Sequence, residues 1–225
     1  MLAEGSKDVF LFFGSIALLF SAVYILLGKH FFLYVCVVFL LLFVFSFYFF
    51  RDPERNGEIS AHHMLSPADG RVVAIDGHKI SIFMNVTDVH VNRIPMDGQI
   101  LSSRHSKGFY FPAFLKNSKY NERLITNLKT PYGLVELVQI AGFGFRRIRS
   151  YIQTGEAVSQ NQRFGVILFG SRVDVTIPQS FDIHVYKYQK VKAGVSIIAS
   201  LNGAAIETDE LAGKSDDRRI YKEQA

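Results

Sequence analysis

Two long uncharged segments near the start of the chain limit what it can fold into. Val9 to Leu27 and Phe31 to Phe50 contain no charged side chain over 19 and 20 residues, and only three residues separate them. A helix rises about 1.5 Å per residue, so each segment is long enough to cross the roughly 30 Å hydrocarbon core of a bilayer. Residues 1–50 are therefore predicted to form a two-helix membrane hairpin. A re-entrant or interfacial hairpin that does not cross fully fits the same pattern.

The charges beside the two segments indicate on which side of the membrane the rest of the chain lies. Lys7, Arg51 and Arg55 flank the ends of the hairpin, whereas its turn carries Lys29 alone. The positive-inside rule then places the following domain in the cytoplasm, at the cell (inner) membrane. A cleaved signal peptide fits poorly, because a second apolar segment follows without a small-residue cleavage site.

From Arg51 onwards the composition is that of a basic soluble domain. Residues 51–225 hold 23 Lys and Arg against 18 Asp and Glu, which accounts for the whole net charge of +5. Such a domain beside a membrane is attracted to anionic lipid headgroups. The sequence has no basic cluster interleaved with exposed aromatic residues, so it does not predict a nucleic-acid partner. The single cysteine, Cys36, excludes an intrachain disulfide and fits a reducing compartment.

Short apolar or alternating segments predict that this domain is mostly β. They recur between turn residues at 71–75, 80–84, 133–140, 165–177, 184–188 and 196–199. The segments at 154–158 and 192–199 resemble the hairpins of biotinyl and lipoyl carrier domains. We therefore expect a compact β-barrel or sandwich over residues 51–205, with carrier-like hairpins. The charged tail, residues 206–225, has no apolar periodicity and is predicted to be disordered.

A serine within one of these strands is the first candidate for chemistry. Val166 to Phe169 form a continuous apolar run, and after Gly170 the pattern alternates, so that Ser171, Val173 and Val175 share one face. A hydroxyl on an apolar face is unfavourable unless it has a hydrogen-bond partner. From these residues alone, a Gly-Ser β-bulge is the favoured interpretation.

The wider segment resembles the processing site of a known family. Arg163-Phe-Gly-x-Ile-x-Phe-Gly-Ser-Arg-Val-Asp174, followed by Pro178, is similar to the site in the short, membrane-associated, archaeal-type phosphatidylserine decarboxylases. The resemblance implies self-cleavage between Gly170 and Ser171 into chains 1–170 and 171–225, which remain associated. It also implies that Ser171 becomes a pyruvoyl cofactor, which forms a Schiff base with phosphatidylserine and yields phosphatidylethanolamine and carbon dioxide.

Two further segments carry the resemblance and supply candidate catalytic residues. Asp69, in Ser66-Pro-Ala-Asp69-Gly70, is by itself a common turn residue. In the family the corresponding aspartate orients the histidine used in self-cleavage. Alternation over Asn85 to Pro95 places Asp88, His90 and Asn92 on one face, and the resemblance implies that His90 is that histidine.

The candidate substrate-binding residues are arginines. Long-form relatives have two histidines three residues apart, whereas this chain has His90 and then Arg93. Because arginine stays protonated, Arg93 is expected to bind a carboxylate or phosphate of the substrate. Arg146 and Arg147 lie in a segment similar to the family's Ala-Gly…Arg-Arg-Ile strand. They are candidates for binding a phosphate, although solvated surface charges are the more common outcome.

Other classes of function fit less well. A non-enzymatic membrane adaptor with a carrier-like barrel remains the alternative, although a lysine in a Met-Lys-Met hairpin is missing. A serine hydrolase is weakly supported, because Gly-x-Ser-x-Gly is absent. No metal is expected, since no set of ligand residues has suitable spacing. Where relatives often carry glycine this chain has Asn161, which also tolerates a left-handed backbone.

Overall fold

A computed structural model describes residues 1–108, 121–142, 148–168 and 171–203 of the chain. It begins with two helices, α1 (Lys7–Leu27) and α2 (His30–Phe49), as the uncharged segments predict. Gly28 ends α1 with a left-handed φ of 64°, a conformation that costs glycine little. By length and composition, both helices are apolar enough to cross a membrane.

After the hairpin, the described residues are mostly in strands, which confirms the predicted fold class. In chain order these strands are β1 (His63–Leu65), β2 (Gly70–Asp76), β3 (Lys79–Met84), β4 (Val91–Arg93), β5 (Gly98–Ser106), β6 (Arg123–Thr130), β7 (Gly133–Ala141), β8 (Ile148–Ser150), β9 (Ala157–Val158), β10 (Arg163–Ile167), β11 (Ser171–Thr176), β12 (Phe181–Ile183), β13 (Lys190–Val191) and β14 (Ile197–Leu201).

The described strands form three antiparallel sheets. The main sheet has eight strands in the order β13-β2-β3-β11-β7-β6-β5-β9. Two small sheets have the orders β4-β10-β8 and β1-β14-β12. These strands do not close into a barrel, so of the predicted barrel or sandwich the barrel is not found, and the sheets are open. The predicted tail, 206–225, lies outside the described residues.

One apolar core joins the three sheets. Its members alternate along the strands, as expected for strands with one buried face. The buried side chains include Ile82, Leu137 and Val173 of the main sheet, Phe164 and Ile167 of β10, and Met64 and Ile198 of the third sheet.

A second, smaller apolar cluster attaches the helical hairpin to the β4-β10-β8 sheet. We call it the hairpin base; its members are Ala3, Phe49, Phe50, Val89, Val91, Val166 and Leu168. The amide of Ala3 donates to the carbonyl of Phe50 at 2.8 Å, and the amide of Asp52 donates to the carbonyl of Met1 at 2.8 Å. Both ends of the hairpin are therefore joined where they meet the domain.

The polar linker, residues 51–62, is fastened to the domain by one buried carboxylate. Asp52 is 4% exposed; its Oδ1 lies 3.3 Å from Arg93 Nη2 and its Oδ2 lies 2.6 Å from Arg163 Nε. Asn161 has the left-handed φ of 69° that its position predicts. Its side-chain amide donates to the Arg55 carbonyl at 2.7 Å, so the side chain makes a linker contact that glycine has no group to make.

We expect the hairpin to hold the protein in membranes more firmly than its basic charge does. Burial of two apolar helices is insensitive to salt, whereas attraction between exposed charges is screened at high ionic strength. Membranes containing the protein would be washed with salt at about 1 M and then with alkaline carbonate. The protein should stay in the pellet in both washes, while a known peripheral protein is released. Release by salt alone would contradict the hairpin prediction.

Candidate active site

Ser171 begins β11 at the point where the chain passes from one sheet to another. β10 ends at Ile167 in the β4-β10-β8 sheet, and β11 lies in the main sheet. Gly170, the predicted cleavage partner, and Phe169 lie outside the described residues. Ser171 pairs with Met84 on one side and with Ala141 on the other. The active-site candidate is therefore built on the central strand of the main sheet.

The hydroxyl of Ser171 is buried without a hydrogen-bond partner. Its side chain is fully buried, as are those of Val173 and Val175, which alternation places on the same face. No described residue hydrogen-bonds its Oγ. An unsatisfied buried hydroxyl costs about 1–3 kcal/mol, so a purely structural serine would be an unfavourable choice here. Burial of the Ser171 hydroxyl therefore lowers the stability of the fold.

Two buried amides lie beside the same face. Gln139 in β7 pairs with Val173 in β11, and its Nε2 donates to Asn92 Oδ1 at 2.7 Å. Gln139 Oε1 has no partner among the described residues. Asn92 Nδ2 lies 3.6 Å from the sulfur of Met84, the residue paired with Ser171. A polar pair thus reaches the neighbourhood of Ser171 from β4 and β7.

Gly165 in β10 leaves room for this amide pair. A Cβ on Gly165 would lie 2.6 Å from the carbonyl oxygen of Arg149 and 3.1 Å from Gln139 Nε2. Any larger residue would displace the Gln139 side chain or the neighbouring strand. The sequence carries one signal for Gln139, a lone amide within the apolar run of β7, but no motif marks it as a site residue.

His90 lies beside the strand that leads to Ser171. Its carbonyl accepts from the amide of Ile167 at 3.2 Å, four residues before Ser171. The imidazole is fully buried, and its Nδ1 lies 2.9 Å from the carbonyl oxygen of Asp88. A carbonyl only accepts hydrogen bonds, so Nδ1 carries the proton and Nε2 carries the lone pair. No described residue hydrogen-bonds Nε2.

The environment of His90 keeps its ring neutral. The ring of Phe49, the last residue of α2, stacks on it with centroids 4.2 Å apart and an interplanar angle of 28°. Burial lowers the pKa of His90 to about 4 and outweighs the hydrogen bond to the Asp88 carbonyl and the charge of Asp88, which both raise the pKa; the charge of Arg51 lowers it to a smaller extent. At neutral pH the imidazole is therefore unprotonated, as a general base must be. The uncharged pattern predicts Phe49 as a membrane residue only, and it does not indicate the contact with His90.

Asp69 is buried but does not contact His90. Its Oδ2 lies 2.7 Å from Nη2 of Arg55, and its Oδ1 accepts from the amide of Ala193 at 2.8 Å. Asp69 and the residue pair before His90, Asp88 and Val89, line one open cleft of about 400 Å³. The predicted Asp69–His90 relay stays a prediction, and the contacts that the structure shows for Asp69 are with the linker and with the residues after β13.

Arg93 binds the linker. The side chain is nearly buried, and its guanidinium contacts Asp52, the Pro53 carbonyl at 3.0 Å and the Asn161 carbonyl at 3.0 Å. The pKa of this guanidinium is lowered, chiefly because burial removes water from the charged group. Its predicted contact with a substrate anion stays a prediction.

The remaining predicted site features are a pair of arginines and the absence of a metal. The candidate phosphate ligands Arg146 and Arg147 lie outside the described residues. Within the described part of the chain, no group of three or more His, Cys, Asp or Glu side chains is placed to hold a metal ion.

Comparisons with known proteins agree on one family. The sequence model of the family described as phosphatidylserine decarboxylase matches residues 42–199. An archaetidylserine decarboxylase proenzyme of Methanococcoides burtonii is 43% identical over 88% of this chain and 96% of that protein. One from Methanosarcina acetivorans is 52% identical over 70% of this chain and 76% of that protein. A phosphatidylserine decarboxylase proenzyme of Streptomyces avermitilis is 46% identical over 67% of this chain and 72% of that protein.

We expect Phe49→Ala to raise the pKa of His90. Removing the stacked ring admits water to the imidazole, which favours its charged form and moves the pKa from about 4 towards its ordinary value of 6.5. The measurement is an NMR titration of histidine-labelled protein in detergent, with the His90 signal assigned from His90→Gln. Phe31→Ala, a matched change at an exposed position of α2, should leave the titration unchanged. A His90 pKa that stays near 4 in Phe49→Ala would contradict the role given to the stacking.

Proposed function

This chain belongs to the phosphatidylserine decarboxylase family, and from that premise we propose that it is a self-processing, pyruvoyl-dependent enzyme. Its substrate is phosphatidylserine, and its products are phosphatidylethanolamine and carbon dioxide. The observation that carries the proposal is the buried Ser171 hydroxyl, which lacks a hydrogen-bond partner among the described residues and begins the strand after the expected cleavage site. Conversion of the serine into the cofactor would account for a buried hydroxyl that is unfavourable for stability.

Self-cleavage uses the Ser171 hydroxyl as its nucleophile. Ser171 Oγ attacks the Gly170 carbonyl carbon, and His90 Nε2 takes the hydroxyl proton. The peptide C–N bond breaks, the serine nitrogen receives a proton, and an ester joins the two residues. Loss of the Ser171 α-proton then expels the Gly170 carboxylate, which ends chain 1–170. Water replaces the nitrogen of the remaining dehydroalanine, and ammonia leaves the pyruvoyl end of chain 171–225.

The neutral state of His90 supports its role as the base. Nδ1–H is fixed by the Asp88 carbonyl, so the lone pair is at Nε2. The low pKa keeps the ring unprotonated across the physiological pH range, although it also makes the ring a weaker base. A family aspartate partner would stabilise the imidazolium as it forms, and we propose Asp69 for that role because it lines the cleft next to His90.

The residues around Ser171 fit a small ketone. Met84 and Ala141 flank it on the two paired strands, while the Asn92 and Gln139 amides are polar groups within the same buried region. A pyruvoyl group supplies the electron sink that decarboxylation requires. The chain's own contribution is to bury this position from water, to hold the amides beside it and to keep His90 able to exchange a proton.

Strand pairing supports the proposal that the two chains remain associated. β11 belongs to chain 171–225, yet it lies between β3 and β7 of chain 1–170 and pairs with each through six residue pairs. β13 pairs with β2, and β14 pairs with β1, so further strands cross between the chains. Separation would expose the core and break these ladders. We further propose that the hairpin spans the cell membrane with the domain on the cytoplasmic side.

The purified protein should consist of a 170-residue and a 55-residue chain, the smaller one with a blocked N-terminus. Ser171→Ala should remain full length and release no carbon dioxide, because alanine lacks the attacking oxygen. Intact mass spectrometry and a carbon dioxide assay measure the two results. Ser200→Ala, a matched change at another buried serine, should cleave normally. A wild-type chain that is active but uncleaved would end the pyruvoyl proposal, and one that is uncleaved and inactive would favour the adaptor.

His90→Ala and Asp69→Ala should accumulate as the full-length precursor. Losing the base or its partner costs roughly 10²–10⁴-fold in related catalytic arrangements. Gels taken over a time course measure the cleaved fraction.

Arg55→Ala distinguishes the relay from a structural role of Asp69. This change removes the Arg55–Asp69 ion pair of 2.7 Å but leaves the aspartate in place. If Asp69 serves His90, Arg55→Ala cleaves while Asp69→Ala does not. If both variants fail equally, Asp69 acts by fastening the linker, and the relay proposal is wrong. Normal cleavage by His90→Ala would remove His90 from the reaction.

A further inference from the structure

A basic cleft opens where the end of α2 meets the domain. Its volume is about 400 Å³, and it lies between the linker, the segment before His90 and strand β13. We call this opening the basic cleft. Its charged lining residues are Arg51, Arg55, Lys190, Lys192, Asp69 and Asp88.

The two acids of the basic cleft already have partners. Asp69 is bound by Arg55 and by the amide of Ala193. Asp88 Oδ2 accepts from the amide of Asn85 at 2.8 Å. Both acids therefore bind groups in the walls of the cleft. Among the described residues, Arg55 is the only cation of the cleft that forms an ion pair with one of them.

The other three cations of the basic cleft have no acidic partner among the described residues. Arg51 donates to two carbonyl oxygens, those of Tyr48 at 2.8 Å and Thr87 at 2.6 Å, and neither carries a charge. Lys190 and Lys192 are exposed and form no ion pair with a described residue. Four cations and two acids line the opening, which leaves a net charge of +2, and such an excess attracts an anionic ligand.

Lys190 and Lys192 stand on either side of the buried Val191 at the end of β13. Lys190 belongs to the strand and Lys192 is the first residue after it, and both line the basic cleft. β13 pairs with β2 through Lys190 and Arg71, and β2 begins directly after Asp69. Arg51 lies over the ring of Tyr48, 4.1 Å from its centroid. The two lysines are therefore presented by β13 and the turn that follows it, and Arg51 is presented by the end of the hairpin.

The basic cleft is placed between a lipid surface and the candidate base. Arg51 and Tyr48 lie where the apolar helix ends, the level of the headgroups for a hairpin that enters a bilayer. Asp88 and Val89 form the opposite wall, and the next residue is His90. A headgroup held here would therefore contact the two residues that precede His90 while its acyl chains remain in the lipid.

We infer that the basic cleft binds the phosphate and the carboxylate of a phosphoserine headgroup through Arg51, Lys190 and Lys192. The inference rests on the proposed function and adds a substrate-binding site to it. The headgroup carries two anionic groups and one amine, so three cations attract it while leaving the amine for the reacting centre. Loss of carbon dioxide removes one of the two anions, and the zwitterionic product is then held less tightly. The same contacts thus select the substrate and favour product release.

Binding can be measured without catalysis in the Ser171→Ala precursor. Thermal unfolding would be followed in detergent micelles that contain phosphatidylserine, phosphatidylglycerol or phosphatidylcholine. A ligand that binds the folded state raises the unfolding midpoint. Phosphatidylserine should raise it most, phosphatidylglycerol less, because it offers one anion, and phosphatidylcholine least. The additional change Lys190→Gln/Lys192→Gln should remove the difference between phosphatidylserine and phosphatidylglycerol.

The control variant removes the same charge elsewhere. Arg104→Gln/Lys129→Gln alters two exposed cations on β5 and β6 and should keep the full effect of phosphatidylserine. Equal stabilisation by phosphatidylserine and phosphatidylglycerol would overturn the inference, since it would indicate a general attraction to anionic lipid. Retention of the phosphatidylserine effect in Lys190→Gln/Lys192→Gln would overturn it as well.

Kinetics of the cleaved enzyme separate this inference from the proposed function. Lys190→Gln/Lys192→Gln should raise KM for phosphatidylserine about tenfold or more, with a much smaller change in kcat, and should weaken the dependence of KM on salt. An unchanged KM would overturn the cleft assignment while leaving the decarboxylase intact. A wild-type protein that neither cleaves nor releases carbon dioxide would overturn the proposed function, and the binding measurement on Ser171→Ala would still test the cleft.

Discussion

The two-sided pairing of β11 is the constraint on which the rest of the structure depends. Ser171 to Thr176 pair with β3 on one side and with β7 on the other, residue for residue. This pairing fixes the register of the strand and therefore the face on which Ser171 lies. Because that face is the core, the hydroxyl at the start of the strand is buried whether or not it finds a partner. The position of the serine thus follows from the pairing of the sheet, and the proposed chemistry depends on that position.

The hairpin is joined to the strands of the candidate site. Asp52, just after α2, binds Arg93 at the end of β4 and Arg163 at the start of β10. These two strands pair with each other, and they carry the segments that contain His90 and lead to Ser171. Removing one partner of a buried ion pair costs about 3–5 kcal/mol, because a charge is then left uncompensated. The linker carboxylate therefore holds together the two strands that position the candidate base and nucleophile.

Local patterns predicted those parts of the molecule that depend on neighbouring residues. The uncharged segments predicted both helices, alternation predicted the strands, and the same alternation placed Ser171 on the buried face. The Asn161 conformation also follows from a local preference, since asparagine tolerates a left-handed backbone. These features need no knowledge of distant contacts.

Contacts between distant segments could not be predicted in the same way. Arg93 was expected to meet a substrate anion, yet in the structure its guanidinium contacts Asp52, 41 residues away in sequence. Asp69 pairs with Arg55, whose role in the linker no motif indicates. β10 and β11 are adjacent in sequence but belong to different sheets, and periodicity does not encode that choice. Each of these depends on how sheets pack, which is a property of the whole chain.

The end of the hairpin contributes to the low pKa of the candidate base in two ways. Phe49 covers one face of the His90 ring, and burial is the larger cause of its low pKa. Arg51, two residues later, acts on the same ring through its positive charge and also lowers the pKa. Both effects disfavour the imidazolium, whereas the hydrogen bond to the Asp88 carbonyl and the charge of Asp88 favour it. Burial outweighs these opposing effects, so the ring is unprotonated at neutral pH. Phe49 and Arg51, which the sequence places at the end of an apolar segment, thus act on the proton affinity of a histidine that lies about 40 residues later in the chain.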